Sequence, residues 1–174
     1  GFWASGAGTG YVDKFEKKIQ KYIGSKDCIA VNSGTAALDL ALSAINIKNK
    51  EVIIPSLSFV STANAVISNG GKPIFAEIDP ETLCIDPEDI ETKITKNTCA
   101  IVPVHFAGMP VNLTKINKIK KKHDLIVIED AAHACGAVFN GKKIGTHGNM
   151  VCFSFHPVKN LAMPSGGLIS IHQS

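Results

Sequence analysis

The sequence predicts an α/β fold, a mostly parallel sheet with helices on both faces. Three observations carry that expectation. Short, nearly continuous apolar runs alternate with segments whose apolar residues recur at helical spacing. The longest runs are about five or six residues, a size for strands buried on both faces and far below the ~20 needed to cross a bilayer. Glycine, proline and asparagine stand between the segments, where turns and helix ends need them. At 174 residues and 45% hydrophobic content, the chain predicts one domain. A chain of that size buries roughly 70% of its unfolded surface without disulfide or metal staples.

The elements follow in order. Val12, Phe15, Ile19, Tyr22 and Ile23 repeat at helical spacing, and Gly24 stands where a C-terminal glycine cap is expected. Residues 28–31 form a short β-branched run, followed by a helical pattern over 35–45. Residues 51–54 read as a strand stopped by Pro55, and 59–68 as a helix ended by Asn69-Gly70-Gly71. A strand over 73–78, a helix over 87–94, a strand over 99–104, a helix over 113–123 and a strand over 125–128 continue the alternation. After Asp130 the pattern changes. Val138-Phe139 and Lys143-Ile144 flank Asn140-Gly141, a hairpin turn signal, and two more strands follow at 150–155 and 168–171.

Charge and cysteine usage exclude several function classes. The net charge is +3 and every one of the 18 basic residues is lysine. Proteins that grip phosphate backbones or read guanine edges lean on arginine's planar fork, so no nucleic-acid partner is expected. The densest basic run, residues 118–122, lies in a helix with Leu113, Ile116 and Ile119 on one side, and reads as a solvated face. The cysteines Cys28, Cys84, Cys99, Cys135 and Cys152 are odd in number and lack Cys-x-x-Cys spacing. They read as small core residues of a reducing compartment, the cytoplasm, with no disulfide framework and no metal site. No membrane contact is expected.

Parallel sheets bind ligands at the carboxyl ends of their strands. Asn32-Ser33-Gly34-Thr35 follows one such end and opens a helix, so its amides and hydroxyls suit a phosphate; an ordinary N-cap has the same composition. Gly6-Ala7-Gly8-Thr9-Gly10 has the wrong spacing for a dinucleotide loop and no strand before it. Glu129-Asp130 ends another strand, with His133 three residues on. Ser154 and Lys159 flank Phe155-His156-Pro157-Val158 after a further strand. A phosphate nest, an aromatic, an aspartate, a serine and a lysine in this order are what pyridoxal phosphate requires.

The whole set resembles the DegT/DnrJ/EryC/StrS family of sugar-nucleotide aminotransferases, fold-type-I pyridoxal phosphate enzymes. The resemblance is carried by Tyr11 to Glu16, Ser33-Gly34-Thr35-Ala36-Ala37-Leu38, Pro55 to Ala65, Glu129-Asp130-Ala131-Ala132-His133-Ala134-Cys135-Gly136-Ala137 and Phe153 to Asn160. It implies a pyridoxal-phosphate-binding large domain over 1–174, without the family's smaller C-terminal domain. It also implies amino transfer from an amino acid, L-glutamate, to a keto-sugar nucleotide, with pyridoxamine phosphate as the intermediate cofactor form and a homodimer completing the site.

Roles follow by position from that resemblance. Lys159 matches the family's Schiff-base lysine and proton carrier. Asp130 matches the carboxylate that keeps the pyridine nitrogen protonated, and His133 the residue beside the ring. Phe59 matches the aromatic stacked on the ring face. Gly34, Thr35 and Ser154 match the phosphate cradle. One segment departs from the pattern: the family commonly reads Thr-Thr-Gly-Glu-Gly-Gly where this chain has Ala162-Met163-Pro164-Ser165-Gly166-Gly167, which bears on substrate choice. Two alternatives compete with the aminotransferase. A dehydratase of the same family carries histidine in place of the lysine, against which Lys159 argues directly. A regulatory protein that kept the fold is opposed by the intact Asp130, Ser154 and Lys159.

Overall fold

A computed structural model of the protein describes residues 10–172. Residues 6–9 of the glycine run lie outside the described residues, and Gly10 opens the first helix. The chain runs α1 (Gly10–Ile23), β1 (Asp27–Val31), α2 (Gly34–Ala44), β2 (Glu51–Pro55), α3 (Val60–Ser68), β3 (Lys72–Ala76) and α4 (Pro87–Lys93). It continues through β4 (Thr98–Ile101), α5 (Leu113–His123), β5 (Ile126–Asp130), the small hairpin β6 (Val138–Phe139) and β7 (Lys142–Lys143), β8 (Met150–Ser154) and β9 (Gly167–Ile171). Seven strands form one sheet in the order β1-β9-β8-β5-β4-β2-β3.

The expected α/β fold is present. Neighbours from β8 to β3 pair in parallel, and β9 alone runs against both β8 and β1. Its reversal has a local cause. A parallel return needs a crossover, normally a helix, whereas residues 155–166 hold none and turn directly back. Ser154 and Gly167 therefore face each other in register, and Lys159 lies in the connection that spans them.

The strands alternate between two apolar layers. Ile53, Ile101, Val127, Val151, Phe153 and Leu168 pack with α1, α4 and α5, including Ile23, Ile90, Leu113, Ile116 and Ile119. Val52, Ile54, Ala100, Val102, Ile128, Cys152 and Ile169 pack on the other face against Ala37, Leu38, Ala41 and Leu42 of α2 and Ala65 and Val66 of α3. This is why the strands read as continuous apolar runs: both faces are covered. All five cysteines are free thiols, buried or half-buried. Among the described residues no helix is long and apolar enough to cross a membrane.

Three strand ends differ from the sequence expectation by two residues or more: the strand expected over 73–78 ends at Ala76, and the other two have a local reason. The strand expected over 99–104 stops at Ile101, because Pro103 has no N–H to continue the ladder. The strand expected over 125–128 extends through Asp130, since Glu129 and Asp130 pair with Val151 and Cys152 and both carboxylates find donors inside. Proline within β3 is tolerated because β3 is the sheet edge.

Candidate active site

The carboxyl ends of β1, β2, β5 and β8 open onto one cavity of about 280 Å³. It lies near the lower end of the size range of small-molecule pockets, about 300–1,000 Å³. Gly34, Thr35, Phe59, Asp130, His133, Ser154 and Lys159 all line it. Every site residue expected from the sequence is therefore brought to the same cavity.

Consecutive residues on a strand point to opposite faces, and Glu129 and Asp130 use that rule. Asp130 reaches the cavity while remaining almost wholly buried. Its Oδ1 accepts the Ala132 N–H at 3.1 Å, and its Oδ2 accepts the Thr62 hydroxyl at 2.9 Å. Burial pushes this carboxyl above the usual aspartate value, against the opposing pull of those two donors and of His105 and His133. Glu129 is fully buried on the opposite side of the sheet and accepts from His105 Nε2 at 2.8 Å. His105 Nδ1 accepts the Val111 N–H, so the ring proton sits on Nε2. Gly148 leaves room for this carboxylate, since a Cβ there would lie 2.6 Å from Glu129 Oε1.

His133 is half-buried and packs edge-on against Phe106. Its Nδ1 accepts the Ala107 N–H at 3.3 Å, which puts the ring proton on Nε2. Ala107 adopts the left-handed conformation (φ 50°, ψ 21°) to present that N–H, a strained backbone of the kind that concentrates at functional sites. Burial, and then the charge of Lys159, lower the histidine's proton affinity.

On the other side, Ser33 caps α2 through the Ala36 N–H, as the plain N-cap reading expects. The amides of Gly34 and Thr35 belong to the first turn, outside the intrahelical ladder. A Cβ on Gly34 would lie 2.7 Å from Ser154 Cβ and 3.2 Å from Ser154 Oγ. The missing side chain thus forms a cradle between the start of α2 and the Ser154 hydroxyl. The connection carrying Lys159 is pinned at several points. Asn160 Nδ2 donates to Cys135 O at 2.6 Å, and Ser165 Oγ donates to Asn32 O at 2.8 Å. Phe155 N donates to Gly166 O, and Met163 N to Phe155 O. The atypical Pro164-Ser165 segment therefore ties the lysine loop to the end of β1, and Ser165 joins the cavity lining.

Sequence reading missed Ser58, Thr62 and the His105–Glu129 pair. Thr62 stands inside a quoted run, but its contact with Asp130 spans 68 residues and leaves no local trace. The pairing of His105 with Glu129 is equally non-local.

A model of the DegT/DnrJ/EryC1/StrS aminotransferase family matches residues 1–174. The spore coat polysaccharide biosynthesis protein SpsC of Bacillus subtilis is 45% identical over 160 residues, covering 91% of this chain and 41% of that protein. The X-ray structure of an aminotransferase from Psychrobacter cryohalolentis superposes with a TM-score of 0.91 at 35% identity, over 93% of this chain and 42% of that one. A Streptococcus pneumoniae protein described as a sugar aminotransferase, solved in PMP and PLP forms, superposes with a TM-score of 0.93 at 26% identity. That match covers 100% of this chain and 47–48% of the other. The chain spans 41% of the length of the curated relatives it matches.

Proposed function

The chain belongs to the DegT/DnrJ/EryC1/StrS aminotransferase family, and on that premise we propose that it is the pyridoxal-phosphate-binding large domain of a sugar aminotransferase. The reaction moves an amino group from an amino acid, L-glutamate, to a keto-sugar carried on a nucleotide. Two copies associate to complete the site in the cytoplasm. The observation that carries this reading is the convergence of Gly34, Thr35, Phe59, Asp130, His133, Ser154 and Lys159 on one cavity.

The residues present fit the cofactor. The cradle between Gly34 and Ser154, beside the first-turn amides of α2, suits a phosphate dianion. Charge-assisted hydrogen bonds of this kind contribute roughly 1.5–3 kcal/mol each. Asp130 is a buried carboxyl whose oxygens each keep acceptor capacity beyond the Ala132 and Thr62 donors, and so suits a protonated ring nitrogen. Phe59 and Val158 are left 72% and 77% exposed on the cavity rim, apolar surface that a flat ring or a second copy covers.

Pyridoxal phosphate, when bound, supplies an electron sink for the pair released as the donor's α-proton leaves. The chain's own groups do the rest. Lys159 Nζ would hold the cofactor's aldehyde, and its free amine would be placed to take the donor's α-proton and return it. Asp130 would hold a proton on the ring nitrogen. His133 would lie beside the ring, with its own proton fixed on Nε2 by the Ala107 N–H. Phe59 would cover a ring face, worth about 0.5–1.5 kcal/mol beyond its buried area. Gly34, Thr35 and Ser154 would retain the phosphate while the lysine is free.

Two measurements test the proposal. The complete protein, mixed with pyridoxal phosphate, should develop a visible absorption band and yield a borohydride-trapped adduct on Lys159. With L-glutamate it should aminate at least one of a panel of keto-sugar nucleotides. A colourless protein with no adduct overturns the assignment. The cradle has its own prediction. Gly34→Ala drives a methyl group against Ser154, and pushing either element aside should weaken cofactor binding at least about tenfold, or 1.4 kcal/mol. Fluorescence titration of the cofactor-free protein measures it; unchanged affinity would remove Gly34 from the phosphate site.

A further inference from the structure

A buried threonine in a helix ordinarily returns its hydroxyl proton to the carbonyl four residues back. Thr62, in the first turn of α3, does not. It is fully buried, and its Oγ1 donates to Asp130 Oδ2 at 2.9 Å, linking α3 to the end of β5. A hydroxyl has one proton. Since that proton goes to the carboxylate, the 2.7 Å contact between Ser58 Oγ and Thr62 Oγ1 must have Ser58 as its donor. Ser58 in turn lines the cavity. The start of α3 leaves both hydroxyls free for this work, because Phe59 caps the helix without any side-chain hydrogen bond.

We infer that Ser58 and Thr62 form a polarised hydroxyl relay that orients the Asp130 carboxylate and stabilises its charged form. They are positioning residues, since neither is required to touch the reacting atoms. The catalytic consequence rests on the role proposed above for Asp130; the relay itself does not.

The physical need for such a relay is plain. Asp130 is 5% exposed, and burial alone favours its neutral form. A protonated carboxyl cannot act as the anion beneath a cationic ring nitrogen. The compensating donors are few: the Ala132 N–H on Oδ1, and the Thr62 hydroxyl on Oδ2. The titratable groups around Asp130 do not replace them. His105 and His133 exert a favourable but smaller pull. Cys152, on neighbouring β8, is a thiol whose proton affinity burial raises well above normal. Glu129 points to the opposite face and is occupied by His105. Lys159 shares the cavity but belongs to the lysine loop. Polarisation along Ser58→Thr62→Asp130 strengthens the second bond beyond what a lone hydroxyl gives.

The test uses the complete protein without cofactor. Carboxyl carbon NMR of aspartate-labelled protein follows Asp130, identified as the signal lost in Asp130→Asn. Thr62→Val keeps the side-chain shape and removes the donor. It should make Asp130 bind its proton at least about tenfold more tightly, a rise of roughly one pH unit in the titration midpoint. Thr62→Ser should restore the wild-type midpoint, and Ser58→Ala should shift it in the same direction as Thr62→Val by about two- to threefold. In the loaded enzyme, the acid limb of the kcat profile should move up in Thr62→Val by the same amount, with the donor's KM unchanged. A wild-type midpoint in Thr62→Val overturns the relay. If Thr62→Val does not fold, an unmoved midpoint in Ser58→Ala overturns it equally. The expected NMR shifts in a protein that performs no transamination support the relay and overturn the function proposed above.

Discussion

Lys159→Ala should abolish transamination while the variant still binds pyridoxamine phosphate. Two losses combine in that one substitution. The proposed covalent anchor for the cofactor would disappear, and so would the proposed base for the donor's α-proton, a contribution that is by itself about 10²–10⁴-fold in rate. Binding survives because pyridoxamine phosphate needs no covalent bond. In the proposed site its phosphate would meet Gly34, Thr35 and Ser154 and its ring Phe59, His133 and Asp130, all of which line the same cavity. The fold should survive as well, since Lys159 lies half-buried in the β8–β9 connection, which is held by Asn160, Ser165 and the Phe155 backbone. Equilibrium binding and single-turnover kinetics separate the two effects. Normal turnover in Lys159→Ala would refute the role given to this amine.

Asp130→Asn should keep the cofactor and lose about 10²-fold or more in rate, as when an aimed electrostatic group is removed from other sites. Asparagine fits the same space but keeps one acceptor oxygen, so it can accept the Ala132 N–H only if its Nδ2 donates to Thr62 Oγ1; the change removes the charge and reverses one hydrogen bond. Stability should move in the opposite direction. Burial raises this carboxyl's proton affinity above its unfolded value. Its contribution to stability is therefore fully present below the unfolded pKa, near 3.9, and is lost as pH rises through the higher folded value. Asparagine has no such loss. The cofactor-free variant should match or exceed wild type in melting temperature at neutral pH, and vary less with pH across the acid range. A near-wild-type rate would make the carboxylate structural; a variant that melts lower at pH 7 than at pH 4 by the wild-type margin would mean that the burial cost lies elsewhere.

Much of the fold was legible because its determinants are local. Gly24 after the repeat of Phe15, Ile19 and Ile23 marks a helix end wherever it occurs, and α1 ends at Ile23. The helix expected over 113–123 is observed over the same residues, since Leu113, Ile116 and Ile119 set its buried face and Asn112 caps it. Asn140-Gly141 closes the hairpin its dipeptide predicts. The candidate site was legible for a related reason. Gly34, Asp130 and Ser154 stand at the ends of apolar runs, and in a sheet whose strands run mostly one way those ends share an edge. Pro103 shows the limit. Its missing N–H was visible in the sequence, but the early end of β4 depends on which neighbour required that donor.

The amino-acid order by itself determined where helices and strands form and which chemical groups stand at strand ends, because backbone conformation and side-chain period act over a few residues. Only the tertiary structure decided that β9 runs backwards between β1 and β8, that His105 meets Glu129 behind the sheet, and that Thr62 donates to Asp130. Those pairings join residues far apart in the chain. Their energies exist only once the sheet has closed the distance and removed the water that would otherwise satisfy each group.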